Sequence, residues 1–249
     1  MRRRTQIYLV LAFLGLAGCF DPPEFPDEPV IEFANVTYRV VDGAADSLIL
    51  SFRFEDGDGD IGLGADELFP PYHPFDAVID SVNRIKIFNQ DTSARAVTIT
   101  EDSLALPLYT IDPFDEITLL AEEDIRPDYN CIDYTIFEQD TFYVVPNPFN
   151  KNIIIDILRK VNGQYVRIND ELSGSTVCPE DFDARIPVFD SENFGRALSG
   201  TINYSLLSQG FDLVFRSDTI KLRFFIYDRS LNRSNTVESP DFVLSDIRS

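Results

Sequence analysis

The chain has no tryptophan, a single histidine, a single methionine and three cysteines in 249 residues. One histidine, His73 in Pro70-Pro71-Tyr72-His73-Pro74, leaves little room for a histidine-based catalytic relay, and no serine or cysteine motif stands near it to act as nucleophile. The flanking prolines place it in a surface loop as an ordinary histidine. Two distant cysteines and one histidine are too few for a structural zinc site. Basic residues are also scarce, 21 against 42 acidic ones, a formal charge of -21 that repels nucleic acid and anionic lipid. No glycine-rich phosphate loop precedes a helical pattern. Long hydrophobic runs are missing too. The longest, Ile7 to Leu16, is about half of the roughly 20 residues that a bilayer-crossing helix needs.

What is present begins with export. Arg2, Arg3 and Arg4, then the apolar run, then small residues before Cys19 have the order of a secretory signal. Leu16-Ala17-Gly18-Cys19 resembles the lipobox of bacterial lipoproteins. That resemblance implies cleavage before Cys19, a diacylglyceryl group on its thiol and an acyl group on its new amine. Several acyl chains at ~0.8 kcal/mol per buried methylene make a stable anchor where one would not. Residues 1–18 are then the signal peptide. Losing them and their three arginines leaves 231 residues with 18 basic and 42 acidic groups, a formal charge of -24.

Residues 19–30 are the lipidated cysteine and a tether. Phe20 to Pro29 holds four prolines and four acidic residues and has nothing to bury. At about 3.1 Å per residue it would stand the body roughly 30 Å from the membrane. Phe20 follows the cysteine where an inner-membrane retention signal would have Asp, and the acidic residues beyond it resemble lipoprotein surface-export signals. The expected location is the outer membrane, on its periplasmic or cell-surface face. With Cys19 lipidated, Cys131 and Cys178 remain, and in an oxidising compartment the expected state is a disulfide, with two buried free thiols as the alternative.

Residues 31–249 read as a mainly β body. Apolar residues are 44% of the chain, with 21 Phe and 10 Tyr, enough for a core. Leu48, Leu50, Phe52 and Phe54 alternate with Ser47, Ser51, Arg53 and Glu55, the period-two pattern of a half-buried strand. The pattern returns at Ile153 to Val161, Ala197 to Leu207 and Thr219 to Asp228, and Asn162-Gly163 marks a hairpin into Gln164 to Ile168. In chain order these suggest an immunoglobulin or fibronectin-III-like antiparallel β-sandwich. Strand A lies near Glu32 to Val40, B at Ser47 to Glu55, C at Asn152 to Val161 and C′ at Gln164 to Ile168. E, F and G follow at Ala197 to Leu207, Thr219 to Asp228 and Asp241 to Leu244. About 90 residues, 61–150, fall between B and C, too many for a structureless loop. They are expected to form a β-rich insertion subdomain with strands at Val82 to Phe88, Val97 to Thr100 and Tyr134 to Val145.

Tyr227-Asp228-Arg229-Ser230-Leu231-Asn232-Arg233-Ser234 resembles the end of bacterial Ig-like repeats. Together with the lipobox, Glu55-Asp56-Gly57-Asp58-Gly59-Asp60-Ile61-Gly62 and Lys160-Val161-Asn162-Gly163-Gln164-Tyr165, it resembles a family of uncharacterised outer-membrane or surface lipoproteins. The resemblance implies location and fold, and no activity.

Asp56, Asp58 and Asp60 alternate with glycine directly after strand B. Calcium takes six to eight oxygens, and carboxylates at positions 1, 3 and 5 of a flexible loop can wrap it. Glu67 falls at position 12, where an EF-hand has its bidentate Glu, yet Ile61 occupies the glycine position and the flanks read as strands, so an EF-hand proper is not expected. In the sandwich topology the loops after B and F share one pole, which brings Asp228 and Asn232 toward Asp56 to Asp60, with Asn169-Asp170-Glu171 at the same end. The candidate metal ligands are Asp56, Asp58, Asp60, Glu67 and Asp228, and the ion they would suit is calcium. The same residues also make an ordinary solvated acidic turn. No catalytic residue is assigned. The expected function is non-catalytic, a lipid-anchored envelope module that meets another envelope protein, a glycan or a peptide. The alternative is a carboxylate-dependent surface hydrolase such as a glycosidase, which needs only two acids.

Overall fold

The structure is a computed structural model, and it describes residues 25–40, 45–79, 84–87, 96–98, 107–109, 118–119, 133–137, 140–168, 182–189, 194–208, 211–215 and 217–249. Cys19, Cys131, Cys178 and Asn169-Asp170-Glu171 lie outside the described residues.

Fourteen strands run through the described residues. The first is β1 (Val30–Arg39), followed by β2 (Asp46–Asp56). Seven short strands come next, β3 (Phe75–Ile79), β4 (Arg84–Ile87), β5 (Ala96–Thr98), β6 (Pro107–Tyr109), β7 (Thr118–Leu119), β8 (Tyr134–Phe137) and β9 (Asp140–Pro146). The series ends with β10 (Ile153–Val161), β11 (Gln164–Arg167), β12 (Leu198–Ser208), β13 (Ile220–Ile226) and β14 (Val237–Glu238). One sheet has the order β1-β2-β12 and a second the order β11-β10-β13-β14, all neighbours antiparallel. Among the described residues, strands β3 to β9, lying in the chain between β2 and β10, pair only with one another, as a five-stranded sheet β7-β4-β3-β9-β8 and a two-stranded one β5-β6.

Alternation explains why the first two sheets face each other. Leu48, Leu50 and Phe52 of β2 are fully buried and Phe54 is buried, while Ile49 and Ser51 between them are half-buried and Arg53 and Glu55 on the same outer face are exposed. Ile153, Ile155 and Ile157 of β10 and Ile220, Leu222, Phe224 and Ile226 of β13 supply the opposing face of the same core. Phe52 and Phe224 meet across it with ring centroids 5.3 Å apart. Each such side chain removed from water contributes about 1.5–3 kcal/mol, so the two sheets are held by many residues rather than by one contact. The β10–β11 hairpin turns at Asn162 and Gly163, both at positive φ (50° and 82°), as a two-residue turn requires. The outer edge of β1 is covered, because the Asn235 side chain bonds both the N–H and the C=O of Ile31 and the Ser249 N–H donates to the Tyr38 carbonyl.

Two expectations are corrected. The last strand of the sandwich lies at Val237–Glu238, where it pairs with Arg223 and Phe224, and not at Asp241 to Leu244. Phe242 there makes a single bridge to Ile220, and Leu244–Ile247 winds into a 3-10 turn. Tyr134 to Val145 is a hairpin of two strands, β8 and β9, rather than one. Among the described residues no helix is long and apolar enough to cross a membrane.

Candidate metal centre

Strand β2 ends at Asp56, whose alternation points it inward, so a carboxylate arrives at the rim of the core completely buried. The chain then folds back on itself. The Asp60 N–H donates to Asp56 Oδ2 at 2.9 Å. Gly59, at φ +65°, lies so close to the neighbouring chain that a Cβ would stand 2.2 Å from the Arg196 carbonyl oxygen, which is why the turn needs glycine there. On the other side β13 ends at Ile226 and hands the chain to Tyr227 and Asp228. Asp228 is 3% exposed, and its two oxygens accept from the Asn232 N–H at 2.7 Å and the Asn232 amide at 2.8 Å. The two loops are joined directly. The Arg229 N–H donates to Asp60 Oδ1 at 3.2 Å and Ser230 Oγ to Asp60 Oδ2 at 2.8 Å.

The result is one carboxylate oxygen from each of Asp56, Asp58, Asp60 and Asp228 within 4.8 Å of the others. Asp56 Oδ1 and Asp58 Oδ1 are buried and have no hydrogen-bond partner. Burial, then the charges of Asp58, Asp60 and Asp228, push the Asp56 carboxyl up to about 7. Burial raises Asp228 to about 6 in spite of the two bonds from Asn232. Asp58 is raised as well, by burial and by the charges of Asp60 and Asp27. The site is thus held together by backbone, amide and hydroxyl donors, but its charge is not balanced by any of them. The donor set is all carboxylate oxygen, which suits a hard cation such as calcium and offers no sulfur or imidazole to a softer one.

Of the five candidate ligands, four converge, and Glu67 is the correction. Its carboxylate makes a two-pronged pair with the Arg229 guanidinium, with Arg229 NH1 2.8 Å from Oε2, and Oε2 also accepts the Gly64 N–H at 2.6 Å. The Arg229 bond lowers the pKa of Glu67 below the ordinary carboxylate value. Glu67 belongs to a neighbouring network whose other centre is Arg185. Arg185 donates to the carbonyls of Asn150, Gly64, Glu67 and Tyr72 at 2.6–2.9 Å.

His73 is also corrected, since it is 1% exposed rather than on a surface loop. Its Nε2 lies 3.1 Å from Asp76 Oδ1, and Asn147 Nδ2 donates to its carbonyl at 2.7 Å. Burial pushes the imidazole's pKa down, against the pull of Asp76. The ring locks the start of β3 to the end of β9. Neither Arg185 nor Asn147 carried a local signal in the sequence, because their partners lie tens of residues away; Arg229 did sit inside a quoted motif, beside Asp228.

A groove of about 580 Å³ opens between the outer face of β10 and β13 and the five-stranded sheet. Phe75, Tyr134, Phe225 and Tyr227 line it, with Lys151 and Asp183. Asp183 is the one carboxylate among its described lining residues and accepts the Ile155 N–H at 2.8 Å. Comparison with family models, curated proteins and solved structures returns no match to this chain.

Proposed function

We propose that the protein is a non-catalytic, lipid-anchored envelope module, held at the outer membrane through Cys19 and stabilised by calcium at its Asp56-Asp58-Asp60-Asp228 pole. In this reading the body is a fibronectin-III-like sandwich with strands β3 to β9 as its insertion, which the sheet orders β1-β2-β12 and β11-β10-β13-β14 support. The observation that carries the calcium assignment is the pair of buried, unpartnered oxygens on Asp56 and Asp58, aimed among four like charges. A buried carboxylate oxygen without a donor costs a few kcal/mol, and a divalent cation is the one partner that meets all four groups at once. The aromatic groove supports a binding role, for a peptide, a glycan or another envelope protein. It supports a glycosidase less, because that chemistry needs a pair of acids and the described lining has only Asp183.

Isothermal calorimetry on the mature chain, with calcium, magnesium and Asp58→Asn, tests the ion. Calcium binds one site per chain, magnesium more weakly because it gives up its water shell reluctantly, and the variant not at all. No heat with calcium ends the assignment. Membrane fractionation of Cys19→Ser tests the anchor, which fails if the variant still incorporates labelled lipid.

A further inference from the structure

The segment that leads into β1 does not leave the body freely; it is laid across the acidic loop. The Gly57 N–H donates to the Pro26 carbonyl at 2.8 Å, between two of the clustered aspartates in sequence. The approach is so close that a Cβ on Gly57 would stand 2.5 Å from the Phe25 carbonyl oxygen, 2.8 Å from that of Pro26 and 2.9 Å from Asp27 Oδ1. The segment therefore brings a fifth carboxylate, Asp27, to the edge of a site that already has four. Asp27 itself is exposed, and Pro29 just beyond it is buried, so the segment is pinned on the body side.

Without a cation, Asp27 is repelled by Asp58 and its neighbours, and the Gly57 bond and the burial of Pro29 hold the segment against that repulsion. With a divalent ion among the four aspartates, the same carboxylate is attracted, either directly or through a water of the ion's shell. The geometry points to Asp27 as a further, segment-borne ligand group of the cation site, so that the ion clasps the entering segment against the pole of the body. This rests on the calcium reading above. If the segment is the membrane tether, the occupied site also sets the face that the body turns toward the membrane. Linkage makes the effect reciprocal, since an ion that holds the segment is itself held by it.

The test uses the full mature chain with calcium as the probe. Calorimetry compares the parent with Asp27→Asn and with Glu28→Gln, an exposed neighbour that serves as control. Asp27→Asn is expected to weaken calcium about fivefold, the size of one exposed carboxylate beside an ion, and Glu28→Gln to leave it unchanged. In parallel, a glutamate-specific protease reports the segment by cleavage after Glu24, followed by mass spectrometry. Calcium is expected to slow that cut about tenfold in the parent and hardly at all in Asp27→Asn. If the parent binds calcium but Asp27→Asn binds it equally well, or the cut proceeds at one rate with calcium and with chelator, the clasp is overturned while the four-aspartate site stands. If the parent binds no calcium, the site falls and the clasp with it.

Discussion

Two polar networks grow from the loop after β2 and touch through Arg229, yet they are built on opposite principles. In the Arg185-Glu67-Arg229 network charges are paired and donors are spent. Arg185 serves four carbonyls, and Glu67 meets both a guanidinium and a backbone N–H. In the aspartate pole four acids converge and two buried oxygens have no donor. A satisfied network rigidifies a fold and is complete in itself, whereas one with uncompensated charge is stable only with something added. The contrast separates a structural feature from a ligand site within some ten residues of chain.

The largest expected effect breaks the balanced network. Arg185→Ala strips donors from four carbonyls and should cost about 3 kcal/mol, since buried acceptors left without partners carry their full desolvation cost. Denaturant melts should show this loss equally in calcium and in chelator. A loss that calcium rescues would mean that the two networks are one.

The next effect belongs to the unbalanced one. An ion that binds only the folded chain adds RT ln(1 + [L]/Kd), and extracellular modules hold calcium at about 0.1 to 1 mM, so ~10 mM calcium should add about 1.4 to 2.7 kcal/mol. For a chain of this size that is a rise in Tm of roughly 3 to 10 °C. Asp58→Asn should abolish the rise. A melting temperature indifferent to chelator and calcium in the parent would leave an acidic turn.

The contrast also shows what sequence can and cannot disclose. The sandwich strands were legible because burial on one face writes itself as alternation, as at Leu48-Leu50-Phe52 and Leu222-Phe224-Ile226. Strand β14 was not, because two paired residues leave no period to read. Nor was the break between β8 and β9, where no Gly, Pro or Asn separates Phe137 from Asp140. The meeting of Asp56, Asp58, Asp60 and Asp228 followed from topology, since loops after β2 and β13 share a pole. Glu67 was misplaced because loop spacing alone cannot know of Arg229, 162 positions on, and His73 because prolines read as surface while Asn147, 74 positions on, buries it. Long-range partners leave no local mark.

A smaller, pH-dependent effect sharpens the difference. The Asp56 and Asp228 carboxyls are raised to about 7 and about 6 from the ordinary 3.8, so the fold favours their protonated forms. Their contribution to metal-free stability is therefore fully present below about pH 4 and lost as pH rises through 6 to 7. In chelator, Asp56→Asn should gain on the parent across that window. Excess calcium should reverse the order, because the ion replaces the protons. Parallel pH curves for parent and variant in chelator would show that Asp56 does not titrate there.

The smallest effect is the sharpest, because one chemical change should act with opposite signs. Replacing a carboxylate by its amide removes a charge and little volume. At Glu67 the lost charge is half of a two-pronged pair with Arg229, so Glu67→Gln should destabilise by about 1 to 2 kcal/mol whether or not calcium is present. At Asp58 the lost charge is one of four that repel, so in chelator Asp58→Asn should stabilise the protein by a few tenths to about 1 kcal/mol. High salt should shrink that gain, since the pole is only partly buried at Asp58 and screening reaches it. Paired urea titrations in chelator decide the matter. If both amides destabilise the metal-free protein alike, the aspartates are already compensated and the pole is no different in kind from the network beside it.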